Sequence, residues 1–270
     1  MRFRLVACDL DGTLLNGSGK LTDAVCAALW RAADAGVALA VITARPRRDV
    51  DPAVLDRVPA SAHWAYSNGA LVRRPGTDGV RRLAGIPVAE VSRILSVLRA
   101  ARPHWSYALD LRDSTALLGA FPEEVARRWN RVVRCASLSH LPVNESPSKI
   151  LVHTGTVCTG AVVDEVQGLL GDGAVATASG GRFVEIGPPA AGKAAALRWI
   201  CADLGVRHAD VVAVGDGLND RAMLRLAGLS AAPLNACEEV RRMADLLLPT
   251  NDEDAVAVLV DLVLARSPYG

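Results

Sequence analysis

Three short apolar runs, each breaking off into a polar cluster, constrain this chain most: residues 3–8 before Asp9, 37–42 before Thr43, and 211–215 before Asp216. Unbroken rather than alternating apolar character marks strands covered on both faces, as in a parallel sheet under helices. A helical pattern follows each run. Residues 22–35 carry apolar side chains at 25, 28, 29, 32 and 33, with Thr22 suited to cap the start and Gly36 to stop the end. Residues 193–204 and 220–227 read in the same way. This alternation predicts an α/β fold with a doubly wound, Rossmann-like parallel sheet, whose ligands bind beyond the carboxyl ends of the strands. The three polar clusters should meet there.

Between the second and third runs the pattern changes. The sequence predicts helices over 88–100, 122–131 and 159–170, and strands over 104–110, 115–119, 149–154, 174–178 and 182–186. This reads as an α+β cap, residues 84–187, inserted between core segments 1–83 and 188–270. Gly76, Gly79 and Gly85 at one junction and Gly187-Pro188-Pro189 at the other suit linkers. Hydrophobic residues make up 51% of the chain but aromatics only 4%, so its core must be built from Val, Leu, Ile and Ala.

A formal charge of +1 provides no field to hold a polyanion, which argues against nucleic acid and acidic membrane surfaces as partners. The paired arginines at 73–74, 81–82, 127–128 and 241–242 read as solvated faces. Lysine is confined to Lys20, Lys149 and Lys193, which singles out each of them. Six cysteines at 8, 26, 135, 158, 201 and 237 show no metal spacing and read as free thiols of a reducing cytosol. No signal-peptide pattern and no bilayer-length apolar stretch are present, so the expectation is a cytoplasmic protein. It is expected to be a monomer or homodimer.

Hydrolysis of a phosphate ester needs a nucleophile, a proton donor for the leaving oxygen, and positive charge against the phosphoryl oxygens. In Asp9-Leu10-Asp11-Gly12-Thr13, one carboxylate can attack phosphorus while the other handles the proton. An anion attacking a dianion requires a cation between them. Oxygen ligands from Asp9, the Asp11 carbonyl and Asp216 suit Mg²⁺. Such a run alone can also be a plain turn, and its spacing does not fit a calcium loop. Thr43 and the Ala44 amide at the second strand end can meet a phosphate oxygen, although a threonine there also caps helices. Arg45 can reach the phosphate or the cap.

Lys193 opens a helix just after the insertion, where its point charge can neutralise Asp9 and phosphate. The stretch Gly187 to Lys193 also matches the start of a nucleotide-binding P-loop, but Ala194 lacks the hydroxyl for magnesium, and Pro188 and Pro189 remove amides that such a loop must donate. In Gly215-Asp216-Gly217-Leu218-Asn219-Asp220 the acids suit a metal better than a pyrophosphate. Asn219 can bind phosphate, and Asp220 can orient Lys193 or a metal-bound water, or sit in the first helical turn. The histidines at 63, 104, 140, 153 and 208 form no ligand spacing.

These residues together resemble the haloacid-dehalogenase superfamily of phosphatases, in its Cof-like branch with a large α/β cap. The resemblance rests on Asp9-Leu-Asp-Gly-Thr, Ile42-Thr43-Ala-Arg45-Pro, Ser67-Asn68-Gly69-Ala70, Lys193, Gly215-Asp-Gly-Leu-Asn-Asp220, Ala227-Gly-Leu and Asn251-Asp252-Glu253-Asp254. It implies a phosphoaspartate on Asp9, acid/base work by Asp11, phosphate contacts from Thr43, Lys193 and Asn219, and Mg²⁺ at Asp9, Asp11 and Asp216. It also implies a small phosphorylated metabolite, a sugar phosphate or a phosphorylated cofactor or nucleotide, as substrate. Two departures are Ala194 in place of a glycine and the Ser230-to-Ala236 loop, which relatives run through Met and Gly. Arg112, Asp113 and the 144–148 loop are candidate cap residues for the cleft. A phosphomutase sharing the same acids, and a catalytically silent phosphate-binding protein, are the competing readings.

Overall fold

The computed structural model describes residues 3–127, 129–141 and 145–265. The chain begins with β1 (Leu5–Cys8), α1 (Asp23–Asp34), β2 (Ala38–Ile42), α2 (Pro52–Leu55), β3 (His63–Tyr66), β4 (Leu71–Arg73) and β5 (Arg81–Arg82). It continues through α3 (Val88–Ala101), β6 (Ser106–Asp110), β7 (Thr115–Leu118), α4 (Glu123–Ala126), β8 (Val132–Cys135), β9 (Lys149–His153), α5 (Gly160–Leu170), β10 (Val175–Thr177) and β11 (Phe183–Gly187). It closes with α6 (Lys193–Leu204), β12 (Val211–Val214), α7 (Arg221–Leu226), β13 (Leu229–Pro233), α8 (Glu238–Met243), β14 (Leu246–Leu248) and α9 (Ala255–Ala265).

Among the described residues the strands form two sheets. The eight-stranded sheet has the order β14-β13-β12-β1-β2-β3-β4-β5, and the six-stranded sheet β10-β11-β9-β6-β7-β8. From β14 to β3 the first sheet is parallel, and β4 and β5 add an antiparallel edge. This is the α/β architecture that the alternation of strand and helix predicts. The second sheet is antiparallel except where β7 runs beside β8.

Side chains alternate across each strand, so the buried strands of the first sheet feed two apolar layers. Val6, Cys8, Leu39, Val41, Val212 and Val214 pack with Val25 and Leu29 of α1 and Leu259 of α9. Leu5, Ala7, Ala40, Ile42, Val211 and Ala213 pack with Ala196, Leu197 and Ile200 of α6. Each fully buried Leu or Val contributes about 2 kcal/mol. The Thr22 hydroxyl accepts the Val25 amide at 3.2 Å, a cap of about 1 kcal/mol, and Gly36 at φ +76° ends the turn after α1.

The second sheet has its own core, in which Ile94, Leu98, Tyr107, Leu109, Ile150, Val152, Val166 and Ile186 are buried together. The chain passes from one sheet to the other between Arg82 and Ile86 and returns between Gly187 and Lys193. One expected helix is corrected here: among the described residues over 122–131 only Glu123–Ala126 is helical, Arg131 takes φ 55°, and Val132–Cys135 is a strand. The reason is tertiary. The Trp129 ring lies 5.5 Å from Phe121 and 5.3 Å from Phe183, contacts that a continued helix would not make. Among the described residues, no helix is long and apolar enough to cross a membrane.

Candidate active site

Parallel register gathers the polar clusters. Cys8 of β1 lies opposite Val214 of β12 and Val41 of β2, and the Asp9 amide donates to the Val214 carbonyl at 3.0 Å. The residues that follow each strand therefore emerge side by side at one sheet edge. Past Asp9 the chain folds into a tight loop in which Gly12 takes φ 71° and the Leu15 amide reaches back to the Leu10 carbonyl. A Cβ on Gly12 would stand 2.4 Å from an Asp216 carboxylate oxygen. Glycine is required there both for its backbone angle and for the close approach of Asp216.

Lys193 is buried at the start of α6. Its Nζ lies 2.5 Å from Asp9 Oδ1 and donates to Asp220 Oδ1 at 2.6 Å. The other Asp220 oxygen accepts the amides of Asp216 at 3.1 Å and Gly217 at 2.9 Å. Asp220 thus ties the lysine to the loop that carries Asp216. Carboxylate oxygens of Asp9, Asp216 and Asp220 lie within 4.8 Å of one another, and Thr13 Oγ1 donates to Asp216 Oδ1 at 3.0 Å.

Burial and the crowding of acids raise the affinity of Asp9 and Asp216 for protons. Burial first, then the charges of Asp220 and Asp216, hold the Asp9 carboxyl well above its usual range against the opposing pull of Lys193. Burial and Asp220 push Asp216 up to about 6. A hard divalent cation matches this donor set: its ligands are all oxygen, and its charge offsets the repulsion that the acids now bear. The residues present therefore fit Mg²⁺.

Asp11 is held apart from the cluster. Arg45 donates through Nε to Asp11 Oδ2 at 2.8 Å and through a terminal nitrogen to Asp11 Oδ1, a two-pronged pair. The Thr43 hydroxyl accepts the Arg45 amide at 3.0 Å, closing the turn that presents Ala44 to the cleft. Asn219 donates to Asn68 Oδ1 at 3.0 Å, and Asn68 donates to Glu185 of β11. The departing loop and the residue after it touch the loops that carry Gly12 and Asp216: Asn235 donates to the Gly12 carbonyl at 2.8 Å, and the Cys237 amide to the Asp216 carbonyl at 3.0 Å.

A cavity of about 300 Å³ opens over Asp9, Asp11, Ala44 and Arg45, with Lys149, Glu185, Trp129 and Phe183 on its far side. The reading of the sequence missed most of that far wall. Lys149 alone left a signal, as one of few lysines; it donates to the Ala44 carbonyl at 2.7 Å and pairs with Glu185 at 3.1 Å. The expected cleft residues Arg112 and Asp113 are exposed and do not line it, because they sit in the turn between β6 and β7, where Arg112 is tied to Glu145. Of the 144–148 loop, Asn144 lies outside the described residues, while Ser148 is buried just before β9.

A family model described as haloacid dehalogenase-like hydrolase matches residues 6–260, and the chain belongs to that family. It is an enzyme of the hydrolase class, with the residue set of a phosphoric monoester hydrolase. Over 288 residues it is 26% identical to 5-amino-6-(5-phospho-D-ribitylamino)uracil phosphatase YwtE of Bacillus subtilis, covering 97% of this chain and 98% of that one. It is also 27% identical to the chloroplastic endoribonuclease YBEY of Arabidopsis thaliana, but spans only 46% of that protein's length. The crystal structure of SMU.1108c from Streptococcus mutans superposes with a TM-score of 0.86 at 22% identity, covering 97% of this chain and 99% of that one, a likeness of fold.

Proposed function

We propose that this hydrolase is a Mg²⁺-dependent phosphatase that acts on a small phosphorylated metabolite through an aspartyl-phosphate on Asp9. The observation that carries the reading is the buried Lys193 bridging Asp9 and Asp220 at 2.5 and 2.6 Å, with Asp11 beside Asp9 on the wall of one cleft. The named activity of the Bacillus subtilis relative, on a phosphorylated ribitylaminouracil, supports the substrate class. Residues 84–187 act as the cap over a core of 1–83 and 188–270.

An Asp9 carboxylate oxygen attacks phosphorus, the bond from phosphorus to the leaving oxygen breaks, and Asp11 gives that oxygen its proton. Asp11 then takes a proton from water, whose oxygen attacks phosphorus, frees Asp9 and leaves inorganic phosphate. Arg45 holds Asp11 as an acceptor, so the guanidinium must move off it before Asp11 carries the acid proton. Lys193, the Ala44 amide, Thr43 and Asn219 stabilise the phosphoryl oxygens. Asp9, Asp216 and the Asp11 carbonyl would hold Mg²⁺, with Asp220 steering Lys193, and the cation supplies positive charge between the attacking carboxylate and the phosphate.

Phosphate release from a panel of phosphorylated metabolites, with wild type and Asp9→Asn, in Mg²⁺ and in chelator, tests this. Release by wild type in Mg²⁺ alone is expected. Activity surviving in Asp9→Asn would sink the mechanism.

A further inference from the structure

The turn Ser67-Asn68-Gly69 takes no part in the chemistry at Asp9, yet it packs against the segments that carry Thr43, Lys193 and Asn219. The Ser67 amide donates to the Arg45 carbonyl at 2.9 Å, and the Asn68 amide to the Thr43 carbonyl at 3.0 Å. A Cβ on Gly69, at φ 85°, would stand 2.6 Å from the carbonyl oxygen of Gly192, the residue before Lys193. Ser67 and Asn68 are both left-handed, at φ 52° and 55°, a costly backbone for residues with side chains that the surrounding contacts must hold in place.

The Asn68 side chain is buried between two partners that give its amide a direction. Its Nδ2 donates to Glu185 of β11, and its Oδ1 accepts Asn219 Nδ2 at 3.0 Å. A carboxylate only accepts, so the NH2 end of Asn68 must face Glu185 and its oxygen must face Asn219. Asn219, partly exposed, then has to present its own NH2 group, whose second N–H is left for a phosphoryl oxygen. No contact on the oxygen side sets this orientation, because Asn219 Oδ1 is buried with no hydrogen-bond partner among the described residues. Glu185 is held in turn: its other oxygen accepts Lys149 Nζ at 3.1 Å and Ser179 Oγ at 2.8 Å. Reversing either amide would set oxygen against oxygen in a buried place.

We propose that Asn68 and Glu185 are positioning residues, a directed relay of hydrogen bonds from the second sheet that turns the NH2 group of Asn219 toward the phosphoryl oxygens. The inference rests on the phosphatase reading and adds to it two residues that act through Asn219. The measurement is kcat/KM for p-nitrophenyl phosphate with Mg²⁺, for Asn68→Gly and Glu185→Gln, each made in wild type and in Asn219→Ala. Glycine accepts the left-handed backbone, so Asn68→Gly removes the amide alone. In Glu185→Gln, Lys149 and Ser179 keep the amide oxygen on their side, the NH2 faces Asn68, and the direction of the relay reverses. Each change is expected to lower kcat/KM about tenfold in wild type and less than about twofold in the Asn219→Ala background. Loss of folded protein would instead appear equally in both backgrounds. Adding Asn68→Asp to Glu185→Gln puts an acceptor back against both amides and should recover about threefold or more. Equal losses in both backgrounds, or no recovery, would overturn the relay and leave the phosphatase reading intact, since wild type still releases phosphate. If wild type releases none from p-nitrophenyl phosphate, the phosphatase reading fails and the relay with it.

Discussion

Replacing Lys193 by methionine keeps the length of the side chain and removes its charge. The lysine is buried between Asp9 and Asp220, and Asp216 completes the acid cluster. Removing one partner of a buried pair leaves uncompensated charge and costs about 3–5 kcal/mol. At roughly 2–4 °C per kcal/mol for a chain of this size, the melting temperature should fall by about 6–20 °C. The cost must depend on pH. Without the lysine, Asp9 and Asp216 hold their protons to still higher pH in the folded chain than in the unfolded one, so their stabilising contribution is full at low pH and is lost as pH rises. Calorimetry in chelator should therefore find a smaller deficit at pH 5 than at pH 8. The same change removes a fixed charge from the phosphoryl oxygens and should lower kcat by about 10²–10³. A deficit equal at both pH values, or phosphate release within tenfold of wild type, would refute the electrostatic role given to Lys193.

Two further outcomes follow from the same cluster. With metal removed, Asp216, pushed up to about 6, binds its proton more tightly folded than unfolded, so stability should fall as pH rises through about 6. Denaturant titrations between pH 4.5 and 7.5 measure this, and Mg²⁺ should offset the fall above pH 6, because it binds the deprotonated acids. Gly12→Ala combines φ strain at +71° with a Cβ 2.4 Å from Asp216, which should cost roughly 2–4 kcal/mol and reduce phosphate release more than a hundredfold, read by thermal melts and phosphate assay.

The alternation of apolar runs with helical stripes was enough to read the α/β core, because strands buried on both faces must be apolar at every position. The loop acids Asp9, Asp11, Asp216 and Asp220 were legible for a related reason: carboxylates directly after buried strands have few structural excuses. The strands β3, β4, β13 and β14 were not read, since their apolar runs are shorter or broken by His63, Arg73, Ser230 and Pro233, unlike the six-residue runs that hold β1 and β2. The aromatic packing that ends α4 was equally silent. Arg45 shows the limit most clearly, since sequence offered it to the phosphate or the cap and the fold pairs it with Asp11.

What the sequence determined by itself is the set of candidate acids, with Lys193, and their order along the chain. Which of them touch was decided by parallel register, which puts Cys8 level with Val214 and so brings Asp9 beside the Asp216 loop and the buried Lys193. The far side of the cleft, with Trp129, Lys149, Phe183 and Glu185, exists only once the second sheet lies over the first. Its residues are distant in sequence and ordinary in type, and only their burial around one cavity gives them a role.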